Sequence, residues 1–497
     1  MSAGLRLATV LVLICLATSL GFGQLTYNNT FVAQFSDGSP EGLAIADFNR
    51  DGKPDIAMIH GSTLSVFFNQ GSGKFGAAHD TALTANSISV QALAADLNND
   101  GKIDIIIAQS QPMQIVVLLG NGDGSFRSPL TIPQVNTPDT LGLGDLNNDG
   151  KVDLAVHECP TSSTNCDIAI YLGTGTGTFS PHTVLPAPGS ISFNQSLAVT
   201  DFNQDGKLDI ATAALNGSSS SPTVDFSVFF GNGDGSFQAP MMVPVPFSVP
   251  ANSAAAMPSI VFGDFNGDAV DDIGVETGSF CGGSACGQSQ MNIFLNNGFG
   301  KFTLTRQFAS SSDESPLNWR AADLNNDLTI DLARLSGSIR NGSLKTWVNN
   351  GKATFTSISN PYQNASPAYA EFRDINLDGR HDLVQADVPL DLAGLIVSLN
   401  ENGTPNCPPP PSNVLQAKMC TPGSSTGSTT FTVQASGNSP VGIKRVELWV
   451  DGHKVAQALN DQLRKTLTLS VGSHTITIVA VDQYIGFAKT TRTVNVQ

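Results

Sequence analysis

Asp201, Asn203, Asp205 and Asp209 set four short oxygen-bearing side chains at positions 1, 3, 5 and 9 of one stretch, with Gly206 at position 6. Oxygens at that spacing suit a hard cation. Calcium takes about 6 to 8 oxygen ligands, a backbone carbonyl at position 7 adds one, and glycine at position 6 permits the sharp turn. Position 7 is Lys207, whose side chain need take no part. The phrase Asp-x-Asn-x-Asp-(Gly)-x-x-Asp occurs seven times. The first three copies are Asp47, Asn49, Asp51, Lys53, Asp55; then Asp96, Asn98, Asp100, Lys102, Asp104; then Asp145, Asn147, Asp149, Lys151, Asp153. After the Asp201 copy come Asp264, Asn266, Asp268, Val270, Asp272; then Asp323, Asn325, Asp327, Thr329, Asp331; and finally Asp374, Asn376, Asp378, Arg380, Asp382. Copies five and six replace the glycine with Ala269 and Leu328, losing the residue that bends most easily.

Asp, Asn and Gly are also what tight turns prefer. Turn chemistry alone does not require aspartate at positions 1, 5 and 9 and asparagine at position 3, yet all seven copies keep those four. An EF-hand would need a bidentate Glu at position 12 between two helices. The flanks here are short apolar runs such as residues 43–46 and 55–59, which read as strands. The loops offer no His or Cys apart from His381, so zinc is disfavoured, magnesium comes second, and up to seven Ca2+ ions are expected.

The elements that position these loops recur with them. Successive phrases start 49, 49, 56, 63, 59 and 51 residues apart, the scale of propellers and arrays. In each repeat a small-residue strand leads into the acidic loop and a second strand follows. A third strand ends in a glycine-rich turn closed by phenylalanine, as at residues 229–237, and a fourth leads onward. Four strands are one propeller blade. The glycine-rich turns lack Gly-Lys-Ser/Thr and read as hairpins, their phenylalanines as packing between blades. The seventh repeat stops near Gly403 without its last strand, and residues 30–35 match a fourth strand with no blade. Joined, they would close the ring with a mixed blade.

These residues resemble the FG-GAP and VCBS repeats, related to the integrin alpha-subunit propellers with calcium in their blade loops. The resemblance spans residues 26–403 and implies an all-β, seven-bladed β-propeller over residues 24–403. The integrin-like loops usually carry Asp at position 3; Asn at every copy here lowers the charge by one per site. Residues 404–420, with a proline run at 408–411, read as a stiff linker containing a Cys pair. Residues 421–497 alternate as strands and resemble a bacterial Ig-like β-sandwich, with Trp449 expected in its core.

The chain carries 42 acidic and 25 basic residues, a net charge of −17, and half of the acidic residues lie in the seven loops. That charge is ligand charge in the metal reading, and nucleic acid is an improbable partner. Residues 1–23 read as a secretory signal peptide, with Arg6 before the apolar run 7–20 and cleavage before Gln24. No later segment reaches the ~18 apolar residues of a membrane span. Export agrees with three close cysteine pairs, Cys159 with Cys166, Cys281 with Cys286 and Cys407 with Cys420, each expected as a disulfide.

Strand order puts the acidic loops and glycine-rich turns on one face and the longest, most variable segments on the other. The expected function is a secreted or cell-surface calcium-binding adhesion module, monomeric, whose variable face takes an extracellular protein or polysaccharide. Trp319 and Arg320 there offer either packing or a stacking platform. A polysaccharide-degrading enzyme is the rival, with Glu158 and Glu276 as its carboxylate pair. Surface carboxylates are the plainer reading of both. An architectural envelope or matrix component, in which the Ig-like module spaces the propeller from something else, is the third.

Overall fold

A computed structural model describes residues 27–497 apart from 36–39, 86, 161–165, 188–196, 219–220, 250–252, 281–288, 312–318, 339–340, 364–366, 388–392, 402–406, 411–413, 459–460 and 485. Residues 1–23 and the pair Cys281 and Cys286 therefore lie outside the described residues.

Among the described residues, the strands up to Asn400 form seven four-stranded antiparallel sheets, the blades of a β-propeller. Six follow chain order, as in Pro40–Ala46, Asp55–His60, Thr63–Gly71 and Lys74–Ala82. The seventh borrows its outer strand: Tyr27–Phe35 pairs with Ala393–Asn400, Tyr27 opposite Asn400. The mixed blade expected from the unmatched segments is therefore present. The first strands touch in sequence round a ring, with Pro40–Ala46 against both Ile88–Ala95 and Pro367–Arg373.

Burial explains the sequence pattern of each blade. Residues 104–109 of the strand Asp104–Gln111 are covered on both faces, while Lys74–Ala82, an outer strand, is largely exposed. A doubly covered strand reads as a continuous apolar run. Ile105, Ile107, Val116 and Leu118 of blade two pack on Ala44, Ile59, Leu64 and Val66 of blade one. Each Val, Leu or Ile among them contributes about 1.5–3 kcal/mol on full burial. The turn phenylalanines do join blades: Phe126 meets Phe48 edge-on at 6.2 Å, and Phe302 and Phe355 meet Phe202 and Phe265 in the same way.

The C-terminal sandwich pairs a three-stranded with a five-stranded sheet around Val433, Val446, Leu448, Ile476 and Ile478. Its first strand, Gln416–Thr421, lies in the stretch read as linker. Cys407 and Cys420 are bridged, the Lys418 ammonium donates to the Pro408 carbonyl, and the Asn438 amide donates to that of Pro410, so Pro408–Pro410 is packed on the sandwich. Trp449 departs from expectation. It alternates with buried Leu448 and Val450, is half-buried on the outer face, and donates its indole N–H to Glu447 at 2.9 Å.

Rather than being held away, the sandwich sits on the propeller. Asp47 N–H donates to the Pro440 carbonyl at 3.0 Å, and the Arg373 guanidinium to those of Ser439 and Val441 at 3.2 and 3.3 Å. The Lys444 ammonium reaches the Val199 carbonyl at 3.4 Å. Gln457 and Gln462 donate from their side-chain amides to the carbonyls of Ala269 and Gly379. Every propeller partner is the end of a first strand or part of an acidic loop.

Candidate metal loops and the face they share

The seven loops follow one hydrogen-bonding scheme. The aspartate at position 1 accepts the N–H groups of positions 5 and 6, as Asp201 does from Asp205 at 3.1 Å and Gly206 at 2.9 Å. The asparagine oxygen at position 3 also accepts the position 5 N–H, and the position 5 carboxylate accepts that of position 7. These bonds wind the loop tightly. Position 6 has positive φ in all copies, Ala269 at 68° and Leu328 at 71° included, and so does position 4, from Arg50 to Leu377. Asn99, Asn148 and Asn326 at position 4 suit that conformation; Arg50, Gln204 and Leu377 gave no sequence signal.

The two copies without glycine face the second domain. Ala269 and Leu328 line a groove with Val455, Gln457, Leu463 and Lys465 of the sandwich. Packing there offsets the cost of a left-handed side-chain residue, roughly 1–2 kcal/mol.

Position 9 differs from the others in reaching out of the loop to the third strand. Asp209 accepts the Phe202 N–H at 2.9 Å with one oxygen and the Gly231 N–H at 2.8 Å with the other. The third-strand residue that donates is Gly120, Gly173 and Gly231 in blades two to four, and Asn69, Asn296, Asn349 and Asn400 in the rest. A Cβ at Gly120 would lie 2.1 Å from the Ile103 carbonyl oxygen. Where the residue is Asn, its side-chain amide reaches the position 2 carbonyl of the preceding blade: Asn69 to Ile375, Asn296 to Phe202, Asn349 to Phe265 and Asn400 to Leu324. Where it is Gly, the N–H four residues on does so: Gly124 to Phe48, Gly177 to Leu97 and Gly235 to Leu146. All seven seams are tied to an acidic loop. The sequence reading missed this position because two residue types fill it.

Electrostatics favour a cation in these loops. Burial, with the charges of Asp201 and Asp205 adding, pushes Asp209 up to about 7 from an ordinary 3.8. Asp55, Asp104 and Asp382 rise likewise to about 7, Asp153 to about 6 and Asp272 to about 8, burial leading in each. Burial and then Asp327 raise Asp323 to about 7, and burial holds Asp331 well above the usual range. A divalent ion would relieve both the desolvation and the repulsion. The all-oxygen donor set fits calcium.

Among the described residues, His157, Cys159 and Cys166 are the one trio of His, Cys, Asp or Glu with ligand atoms within 4.8 Å of one another. Both sulfurs are spent in the Cys159–Cys166 disulfide. The two glutamates lie in different blades, each with its own partners. Glu276 is fully buried, taking the Arg334 Nε at 2.9 Å, the Trp319 indole at 2.8 Å and the Ser310 hydroxyl at 2.7 Å. It is not a surface carboxylate, and neither is Glu158, which is buried and bonded to the Asn136 amide. Trp319 is core, packed on Trp347, and Arg320 pairs with Glu371 at 3.0 Å.

Residues 47–107, 96–156 and 161–212 match the FG-GAP-like repeat, residues 193–235 the FG-GAP repeat, and residues 420–478 the bacterial Ig domain. The chain thus carries FG-GAP repeats followed by a bacterial Ig-like domain. Among solved structures it is similar to a protein from Lactobacillus plantarum, at 13% identity over 67% of this chain and 88% of that one, TM-score 0.44. It is also similar to the Dos1 propeller (8%, 74% and 80%, TM-score 0.42) and to Saccharomyces cerevisiae Sqt1 (10%, 76% and 99%, TM-score 0.41). No curated protein matches the chain. The FG-GAP propeller suggests a protein-interaction module, and its repeats and disulfides are consistent with an extracellular protein.

Proposed function

We propose that the chain is a secreted, calcium-stabilised binding or adhesion module whose ions hold blades together and do no chemistry. The observation that carries this reading is the union of two roles in one loop. Each acidic loop gathers oxygens suited to calcium and also accepts the hydrogen bond that ties the next blade to it. An ion bound there stabilises the seam by binding the folded loop and not the unfolded chain, about 2.7 kcal/mol per site at a hundredfold excess over Kd.

The ligand is an extracellular protein or polysaccharide, taken on the side away from the sandwich. The chain's net charge of −17 disfavours nucleic acid as a partner, and the module acts as a monomer. Melting the full chain in calcium and in chelator tests the metal reading. A large rise in Tm with calcium and a smaller one with magnesium is expected; equal melting in all three media would end it.

A further inference from the structure

The first strands wall a central channel that the docked sandwich floors at the acidic face with Val441, Ile443, Lys444, Gln483 and Tyr484. Two lobes of about 300 and 410 Å³ remain, sharing Gln91, Thr140, Arg320, Glu371 and Tyr484. A channel open at both ends has become a pocket with a floor.

Its wall holds polar groups that the fold leaves unused. Asp139, 3% exposed, has the His157 ring 3.6 Å from one oxygen and no hydrogen-bond partner for the other among the described residues. The adjoining Thr140 hydroxyl, 2% exposed, also has none. Buried polar atoms are normally satisfied, and Asp139 and Thr140 both line the first lobe. Elsewhere on the wall Arg320 is bonded to Glu371, Gln91 accepts the Leu141 N–H at 2.6 Å, and the Tyr369 hydroxyl lies 3.4 Å from the Val90 carbonyl. Leu43, Leu93, Phe372 and Tyr484 supply apolar surface between them.

We propose that this pocket binds the terminal sugar of a glycan, Asp139 and Thr140 taking its hydroxyl groups. Acceptors and donors side by side suit hydroxyls, which play both parts. A simple cation or anion would meet the wrong half of the Arg320–Glu371 pair. The lobes match the lower end of small-molecule sites, roughly 300–1,000 Å³. Because the floor is closed, a glycan enters by its end and not by its middle. The inference rests on the reading of this chain as a binding module and narrows its ligand to a saccharide.

The test is calorimetric titration of the full chain, in calcium, with D-glucose, D-galactose, D-mannose, L-fucose and N-acetyl-D-glucosamine, repeated on D139N and T140V. At least one sugar should bind. Each variant should weaken it tenfold or more while the melting temperature and its calcium increment stay within a few degrees of the parent. T140V keeps the test open should D139N fold poorly. No binding of any sugar by the folded parent, binding that both variants leave intact, or binding of butylamine in place of sugars would overturn the proposal. The calcium increment is read separately, so failure of the metal reading and failure of the sugar site are distinguishable.

Discussion

Asn69 of the first blade donates its side-chain amide to the Ile375 carbonyl of the last at 2.8 Å, bridging 306 residues of sequence. The same amide donates to the Pro54 carbonyl at 3.0 Å, so one side chain fastens its own blade and the closing seam. Asn69→Ala leaves two carbonyls unpaired and should cost about 1–3 kcal/mol for each that stays dry. Denaturant midpoints of the parent and the variant measure it. Asn69→Asp, which retains the acceptor for the Gly71 N–H but no donor, should fall near the alanine variant.

Positions 5 and 9 of one loop should separate by their dependence on calcium. Asp205 is exposed, its ion pair with Lys207 is loose at 3.8 Å, and the Lys207 N–H it accepts at 3.0 Å can turn to water, so Asp205→Ala should reduce the calcium increment in Tm and hardly move the chelated protein. Asp209→Ala orphans the Phe202 and Gly231 N–H groups and should destabilise the chelated protein by about 1–3 kcal/mol per group. Two melts of each variant, with calcium and with chelator, suffice.

The pH response of the ion-free protein has a definite sign. Carboxyls at position 9 sit at about 7 in Asp55, Asp104, Asp209 and Asp382 and about 8 in Asp272, all above the ~3.9 of an unfolded aspartate. The folded state therefore holds more protons between those limits, and stability is lost as pH rises through the folded values. In chelator the protein should melt higher at pH 5 than at pH 8. Calcium, which competes with those protons, should raise Tm more at pH 8.

Much of this was legible in advance and some was not. The Asp-x-Asn-x-Asp phrase marks each loop because side chains, not tertiary context, dictate its turns, and the unmatched residues 30–35 betray the mixed blade. Glu276 and Trp319 were misread or left open because a polar side chain after a strand looks exposed until its partner is known. That partner, Arg334, belongs to another blade. Ala269 and Leu328 stood out only as copies of the phrase without its glycine, yet they line the groove against a domain more than a hundred residues on. Contacts between distant segments leave no period in a sequence.

Glu276→Gln should show the worth of the buried pair. The amide can still serve Trp319 and Ser310 but leaves the Arg334 charge uncompensated, and removing one member of a buried pair costs about 3–5 kcal/mol. A matching loss in unfolding free energy, with altered Trp319 fluorescence in the native state, is the expected result.

Docking of the sandwich is also accessible to measurement. Arg373→Met removes the donors to Ser439 and Val441, each charged bond contributing about 1.5–3 kcal/mol. Limited proteolysis should then cut between propeller and sandwich faster than in the parent, with far-ultraviolet circular dichroism unchanged. Chelation should do the same to the parent, since Asp47, Ala269 and Gly379 belong to acidic loops.

Tyr27–Phe35, which completes the sheet begun by Pro367–Arg373, also sets an order of events during synthesis. This strand is made before every blade of the ring and has no partner until Ala393–Asn400 follows, so until then its unpaired backbone is open to other chains. The ring can close only after its last blade is made. A cell producing this protein must therefore keep the early strand solitary, and overproduction should yield aggregates joined through residues 27–35 before it yields any other misfolded form.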